Sequence, residues 1–304
     1  MNRLIIISII LLVMFHSCTN VNRDKSVDRS KLTEDDYRLF QNTPAWMLAI
    51  AVQDGDEKKI IEIVSKSPQV INAQEPQYGN TLLMLTIINQ QFEQFKVLLD
   101  NKADVTIHNT YNGTSALIEA CSSKQYNINF VRLLLRQGAD VNDIECGKRR
   151  EGNSTRLTPL IAASKTGNLD LIRLLIDKDA NINYRNEFDQ SALSESVMIG
   201  RYDVVIYLLQ NGADFKTPIF YRPDYTIPSD SKNAANRGKA MYLVDLLREN
   251  FSDFETNEYK YKMQVVAYLK KNGIDYRNAP IPNFIKSKAQ EKYPNNWRQY
   301  LDKY

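Results

Sequence analysis

Histidine, cysteine and tryptophan are scarce, with two, three and two copies in 304 residues. The histidines are His16 and His108, and His108 falls in a predicted turn beside Asn109. A catalytic triad or a histidine general base needs a histidine in a site, and a zinc site needs three or four ligands. His108, Cys121 and Cys146 have no metal-type spacing, so neither a metal site nor a cofactor is expected. The chain lacks a G-x-S-x-G elbow and a glycine-rich phosphate cradle. Acidic pairs such as Asp35 with Asp36, or Asp253 with Glu255, fall where helix starts and loops are expected and read as caps or solvated faces. Only 11 glycines and 10 prolines are present, which excludes long flexible linkers. A formal net charge of +3 is too small to imply a nucleic-acid partner. Three cysteines do not make a disulfide framework. Cys121 and Cys146 could pair in an oxidising compartment, but Cys121 sits in an apolar helical pattern and reads as a small core residue.

Long apolar runs are also missing, with one short exception. After Arg3, Leu4 to Phe15 is a mostly aliphatic run of 12 residues. A spanning helix needs about 20, so this run is the apolar region of a secretory signal. It ends in "FHSC", with the small Ser17 directly before Cys18. The placement resembles a bacterial lipoprotein signal, although Phe15 stands where leucine is usual. The resemblance implies acylation of Cys18 and anchoring to a membrane through it. Thr19 rather than aspartate after the cysteine implies the outer membrane, facing the periplasm. An ordinary cleaved signal with Cys18 nearby by chance is the alternative.

What is abundant is repetition. "LLLRQGADVN" at 133–142 recurs as "VLLDNKADVT" at 97–106, "LLIDKDANIN" at 174–183 and "YLLQNGADFK" at 207–216. Its acidic or amide residue falls at Asp104, Asp140, Asn181 and Asp214, at intervals of 36, 41 and 33. A second phrase precedes each, beginning near Thr81, Ser115, Thr158 and Ser191. In "LTPLIAASKTGNLDLIRLLIDKDANIN", Thr158 can cap a helix start and Pro159 suits its first position. Gly167 and Asn168 end that helix. Leu169, Ile172, Leu175 and Ile176 then recur at helical spacing and predict a second helix with an apolar stripe. Two helices this short cannot bury their apolar faces alone, whereas stacked copies cover one another.

The pattern resembles the ankyrin repeat over 77–216, on Thr158-Pro159-Leu160, Gly138-Ala139-Asp140 and Gly212-Ala213-Asp214. The family's histidine after Pro-Leu is absent, with Met84, Ile118, Ile161 and Ser194 in its place. The resemblance implies an all-α solenoid of about six helix–turn–helix units joined by short extended finger turns, and a role in binding another protein.

The expected organisation is a signal peptide at 1–17, a lipidated tether at 18–31 and an N-terminal capping helix at 32–44. In that helix Thr33 and Asp36 have the spacing of a capping box. Repeats span 45–216, a swollen last repeat spans 217–279 with a first helix near 240–250, and a C-terminal cap spans 280–304. In the cap, Phe284, Tyr293, Trp297, Tyr300 and Leu301 have roughly helical spacing.

Carried onto this sequence, the binding fingers of the family fall near 74–80, 108–113, 144–156, 184–190 and 218–224. Their candidate contact residues are Tyr78, Tyr111, Arg185 and Phe188. To these are added the basic, lengthened finger with Lys148, Arg149, Arg150 and Arg156, and the aromatic loop with Phe220, Tyr221 and Arg222. Tyrosine and arginine are common binding hot spots. The alternatives are a solvated finger and a loop that only packs. The expected molecule is a monomeric, non-catalytic binder of another protein, serving as a scaffold, a protector or an immunity protein against a toxin. An envelope enzyme with its site in 217–304 stays open as the rival, against which that segment has neither histidine nor cysteine.

Overall fold

The fold is known from a computed structural model that describes residues 23, 25–125, 127–147, 156–222 and 238–304. It is built almost wholly of helices, paired as the repeats predict. The chain divides into two compact units, Met1–Ala116 and Leu117–Tyr304.

The first unit holds α1 (Trp46–Asp54) paired with α2 (Glu57–Lys66), and α3 (Leu82–Ile88) paired with α4 (Phe92–Asp100). Helix α5 (Ala116–Ser122) begins at the division and is followed by α6 (Ile128–Arg136). The second unit continues with α7 (Pro159–Thr166), α8 (Leu169–Ile176), α9 (Ala192–Met198) and α10 (Tyr202–Gln210). A two-stranded antiparallel ribbon follows, β1 (Phe220–Arg222) with β2 (Lys239–Met241), in the register Phe220 to Met241 and Arg222 to Lys239. Then come α11 (Leu243–Glu249), the long α12 (Asn257–Lys271), α13 (Asn283–Lys292) and α14 (Trp297–Lys303).

The two helices of a repeat differ because their surroundings differ. The first helix is covered on nearly every side, so Leu82 to Ile87 in α3 and Pro159 to Ser164 in α7 are all buried. The second helix buries one stripe, such as Phe130, Val131 and Leu134 in α6. Thr81, Thr158 and Ser191 each accept from a backbone N–H three residues on and so cap the first helices. At Ser194, where the family's histidine would stand, Oγ accepts from the Ser191 N–H at 2.7 Å and closes a capping box.

The repeated acidic or amide residue has a local task. Oδ1 of Asp104, Asp140, Asn181, Asp214 and Asp275 accepts from the N–H two residues on, at 2.8 to 3.1 Å, and sets the turn after each second helix. An asparagine in three of the turns, Asn72, Asn142 and Asn183, reaches the following repeat. Asn72 Oδ1 accepts from Asp104 N–H at 2.9 Å, Asn142 Oδ1 from Asn181 N–H at 2.6 Å, and Asn183 Oδ1 from Asp214 N–H at 2.8 Å. Asn142 and Asn183 also donate to the carbonyls of Asp179 and Gly212. Each amide therefore ties two turns with both of its ends.

Three expectations are corrected. The segment at 32–41 is not a helix with a Thr33–Asp36 capping box. It forms one turn of 3₁₀ helix, Tyr37–Phe40, and Asp36 itself caps it by accepting from Arg38 N–H. Tyr37, Leu39 and Phe40 are all buried there, on too wide an arc for one face of a short α-helix. The loop after 216 contains strand β1, and its partner β2 takes 239–241, so the following helix starts at Leu243. In the cap, Phe284 is exposed while Ile285 and Ala289 are buried against Tyr300 and Tyr304. Cys121 is a free thiol buried in α5, and burial pushes its pKa up, as befits a core residue. Cys146 is exposed.

Two glycines separate backbone strain from crowding. Gly79 and Gly138 both have positive φ, +77° and +91°. A Cβ on Gly79 would lie 2.4 Å from the Thr110 backbone N, whereas a Cβ on Gly138 meets nothing within 4 Å. Gly138→Ala is therefore expected to cost only the left-handed penalty, about 1–2 kcal/mol, and Gly79→Ala distinctly more. Urea unfolding of the two variants checks the order, and equal losses would count against the crowding at Thr110.

Candidate functional site

Four of the five fingers hang from one polar residue at the base. Glu75, 1% exposed, accepts backbone N–H groups from Gln77, Tyr78 and Asn80 at 2.7 to 3.1 Å. Asn109 Oδ1 accepts from Asn112, Gly113 and Thr114, and Asn186 Oδ1 from Phe188 and Gln190. Glu145 accepts from Leu157 N–H at 3.0 Å across the base of the long finger. A short acceptor side chain satisfies amides that a tight loop would leave without partners. The sequence carried the signal, since Asn109, Glu145 and Asn186 each lie five residues after the repeated acidic or amide residue.

Several of the singled-out residues hold this scaffold together. Tyr78 donates its hydroxyl to the Leu32 carbonyl at 2.9 Å, and its ring meets Tyr111 edge-on with centroids 5.6 Å apart. Arg156 donates to the Glu145 carbonyl at 2.8 Å. Arg185 clasps the start of the next finger through Thr217 Oγ1 at 3.1 Å and the Pro218 carbonyl at 2.7 Å. Phe220 and Tyr221 are half-buried in β1. Phe188 stands clear at 63% exposed, and Tyr111 is also exposed. Cys18, Lys148, Arg149 and Arg150 lie outside the described residues.

The structure adds a cleft that the sequence reading did not anticipate. Its volume is about 810 Å³, and it lies between the end of α9, β1, the end of α11 and the start of α12. Met198, Ile199 and Tyr261 face it with 61%, 45% and 38% of their surface exposed. At its rim Arg222 makes a two-pronged ion pair with Glu249 at 2.8 and 2.5 Å, and Arg201 one with Asp203 at 2.9 and 2.7 Å. Arg222 was legible as a candidate. Met198 and Ile199 were not, because an apolar residue ending an apolar helix reads as core.

Glu258 on the cleft wall leads into a buried cationic cluster. Glu258 Oε1 accepts from Asn250 Nδ2 and Ser252 Oγ, each at 3.1 Å. Lys262, one helical turn further, is buried. It donates to the Asn250 carbonyl at 2.7 Å and lies 4.0 Å from the centre of the Tyr304 ring. Arg248 stacks 3.9 Å over Tyr276 and donates to the carbonyls of Tyr276 and Tyr304. Burial, helped by the charge of Arg248, pushes the Lys262 pKa down to about 7. The unfolded lysine keeps a pKa near 10.4. Between these values the unfolded chain holds a proton that the folded chain lacks, so stability rises with pH across about 7 to 10. Above about 10 the buried Tyr202, Tyr300 and Tyr304, whose pKa values burial raises, reverse the slope. Lys262→Met is expected to remove the rise, up to roughly 1 kcal/mol per pH unit. Urea titrations at pH 7, 8 and 9 check it, and a rise retained in the variant would move its origin elsewhere.

Comparison with known proteins agrees with the geometry. The family model described as ankyrin repeats (3 copies) matches residues 48–145 and 143–218. The chain is similar to the Ankyrin repeat and KH domain-containing protein mask-1 of Caenorhabditis elegans, 26% identical over 204 residues. Those residues are 57% of this chain and 7% of the nematode protein. It is 28% identical over 147 residues to a putative ankyrin repeat protein of Acanthamoeba polyphaga mimivirus, covering 43% of this chain and 89% of the viral one. The B-cell lymphoma 3 protein homolog of Mus musculus is 26% identical over 184 residues, 59% of this chain and 38% of the mouse protein. The chain thus spans only a small part of the nematode protein and well under half of the mouse one. With capped helix pairs, polar-based fingers and a family match across 48–218, the chain belongs to the ankyrin-repeat family.

Proposed function

We propose that this protein is a non-catalytic binder of another protein, acting as a monomer and anchored through an acylated Cys18 in a bacterial envelope, at the outer membrane facing the periplasm. Ankyrin-repeat proteins mediate protein–protein binding, which supports the first part. The observation that carries it is the exposure of Phe188, Met198 and Ile199 in one repeat whose Leu193 and Val197 are buried. Large apolar side chains left in water, Met198 and Ile199 at the cleft and Phe188 on a finger, mark interaction surfaces. The anchor rests on the sequence alone, on the apolar run ending at Ser17 and Cys18.

The rival reading, an enzyme centred in 217–304, has little to build on. Among the described residues, the one lysine there with a strongly lowered pKa, Lys262, is 1% exposed and donates to a main-chain carbonyl, so it cannot reach a substrate. Scaffold, protector and toxin-immunity roles all use the same surface, and the partner's identity separates them.

Phe188→Ser combined with Met198→Ser is expected to weaken capture of the partner from envelope extract by about tenfold or more, because each removes roughly 1 kcal/mol or more of apolar contact. The melting temperature should hold, since both side chains are exposed. Undiminished capture would remove the cleft and finger from the interface, and turnover of peptidoglycan, lipid or peptide by residues 18–304 would overturn the non-catalytic reading. Cys18→Ser is expected to release the protein from membranes, checked by fractionation and by the mass of the mature N-terminus. Retention on membranes with an unmodified Cys18 would refute the anchor.

A further inference from the structure

A second cleft lies away from the fingers, on the faces of the second helices. It has a volume of about 450 Å³ between α6, the turn that follows it, and α8. Leu135 and Leu174 give it apolar walls, and Arg132, Arg136 and Lys178 surround it with exposed cations. Asp140 is the one carboxylate in the lining, and its Oδ1 is taken by the Asn142 N–H at 2.8 Å.

Arg173, Arg201 and Arg222 on the surface of this unit carry a carboxylate: Asp170 at 3.7 Å, Asp203 at 2.7 Å and Glu249 at 2.5 Å. Among the described residues, no ion pair forms at Arg132, Arg136 or Lys178. Arg132 and Arg136 are one helical turn apart on the same face of α6, a spacing at which like charges destabilise a helix. Arg132 donates to Asn129 Oδ1 at 3.4 Å, but the three cations around the apolar floor have no carboxylate partner among the described residues and so keep a repulsion that a bound carboxylate would relieve.

We propose that this cleft binds an acidic peptide segment of a partner protein, with an apolar side chain seated between Leu135 and Leu174 and flanking carboxylates on Arg132, Arg136 and Lys178. Charge complementarity selects the acid, because three cations surround a single, already engaged carboxylate. The concave apolar floor selects a peptide over a flat anionic bilayer, whose headgroup plane cannot enter it. The site is separate from the fingers and from the larger cleft, so it stands whether or not those bind.

The test is fluorescence anisotropy on the mature chain with a fluorescein-labelled peptide of alternating glutamate and leucine. A glutamine–leucine isostere and phosphatidylserine-containing vesicles serve as the other arms. The acidic peptide is expected to bind at least about tenfold more tightly than the glutamine peptide, and to weaken at least about tenfold between roughly 50 and 500 mM salt. Arg132→Glu with Arg136→Glu is expected to remove that binding. Arg132→Gln with Arg136→Gln should weaken it to an intermediate degree, with helicity unchanged by circular dichroism in both. Equal binding of the two peptides, indifference to the charge reversal, no binding of the acidic peptide, or vesicle binding through these arginines in its place would each overturn the proposal.

Discussion

A helix of seven to nine residues cannot bury an apolar stripe against itself, and that limit governs the rest of the molecule. Most repeats here are pairs of such helices, and their first helices are so apolar that only neighbours on nearly all sides keep them from water. Covering one repeat with the next answers the apolar requirement but leaves the turns unanchored. The asparagines at 72, 142 and 183 supply the anchor, each accepting from the backbone of the following turn. Hydrophobic burial sets how many units are needed, and these directional bonds set how neighbouring turns are held.

The same economy explains why several residues chosen for binding also hold the scaffold. Finger loops are short and their amides crowded, so polar and aromatic side chains near them are drawn into holding the loop. Arg185, Arg156 and Tyr78 spend their donors on neighbouring carbonyls. Among the side chains the scaffold leaves exposed are Phe188 at a finger tip, and Met198 with Ile199 at the end of an inner helix. The ribbon of β1 and β2 brings Arg222 to the same cleft, which a longer last repeat makes possible.

At the far end of the second unit, stacking stops and a different chemistry takes over. Arg248 and Lys262 are buried against the rings of Tyr276 and Tyr304, and Phe251, Phe254, Tyr293 and Tyr300 stack beside them. Rings accept both apolar contact and cationic charge, so the same side chains seal the end of the core and hold two cations inside it. The cost is a lysine whose charge is only marginally tolerated, which ties the stability of this end to pH.

The repeat phrase, its period, the helix caps and the turn residues were legible along the chain because each depends on neighbours three to five positions away. Thr158 with Pro159, and Gly212-Ala213-Asp214, declare a helix start and a turn without reference to anything distant. Contacts across 30 residues or more were not legible. That Asn183 reaches Gly212, that Arg185 clasps Pro218, that Lys262 lies over Tyr304, and that Met198 faces water when its helix says core, all follow from how the elements pack. Local sequence determined the unit and its repetition. Tertiary structure alone decided which side chains were left over to form a surface, because exposure belongs to the packing and not to the residue.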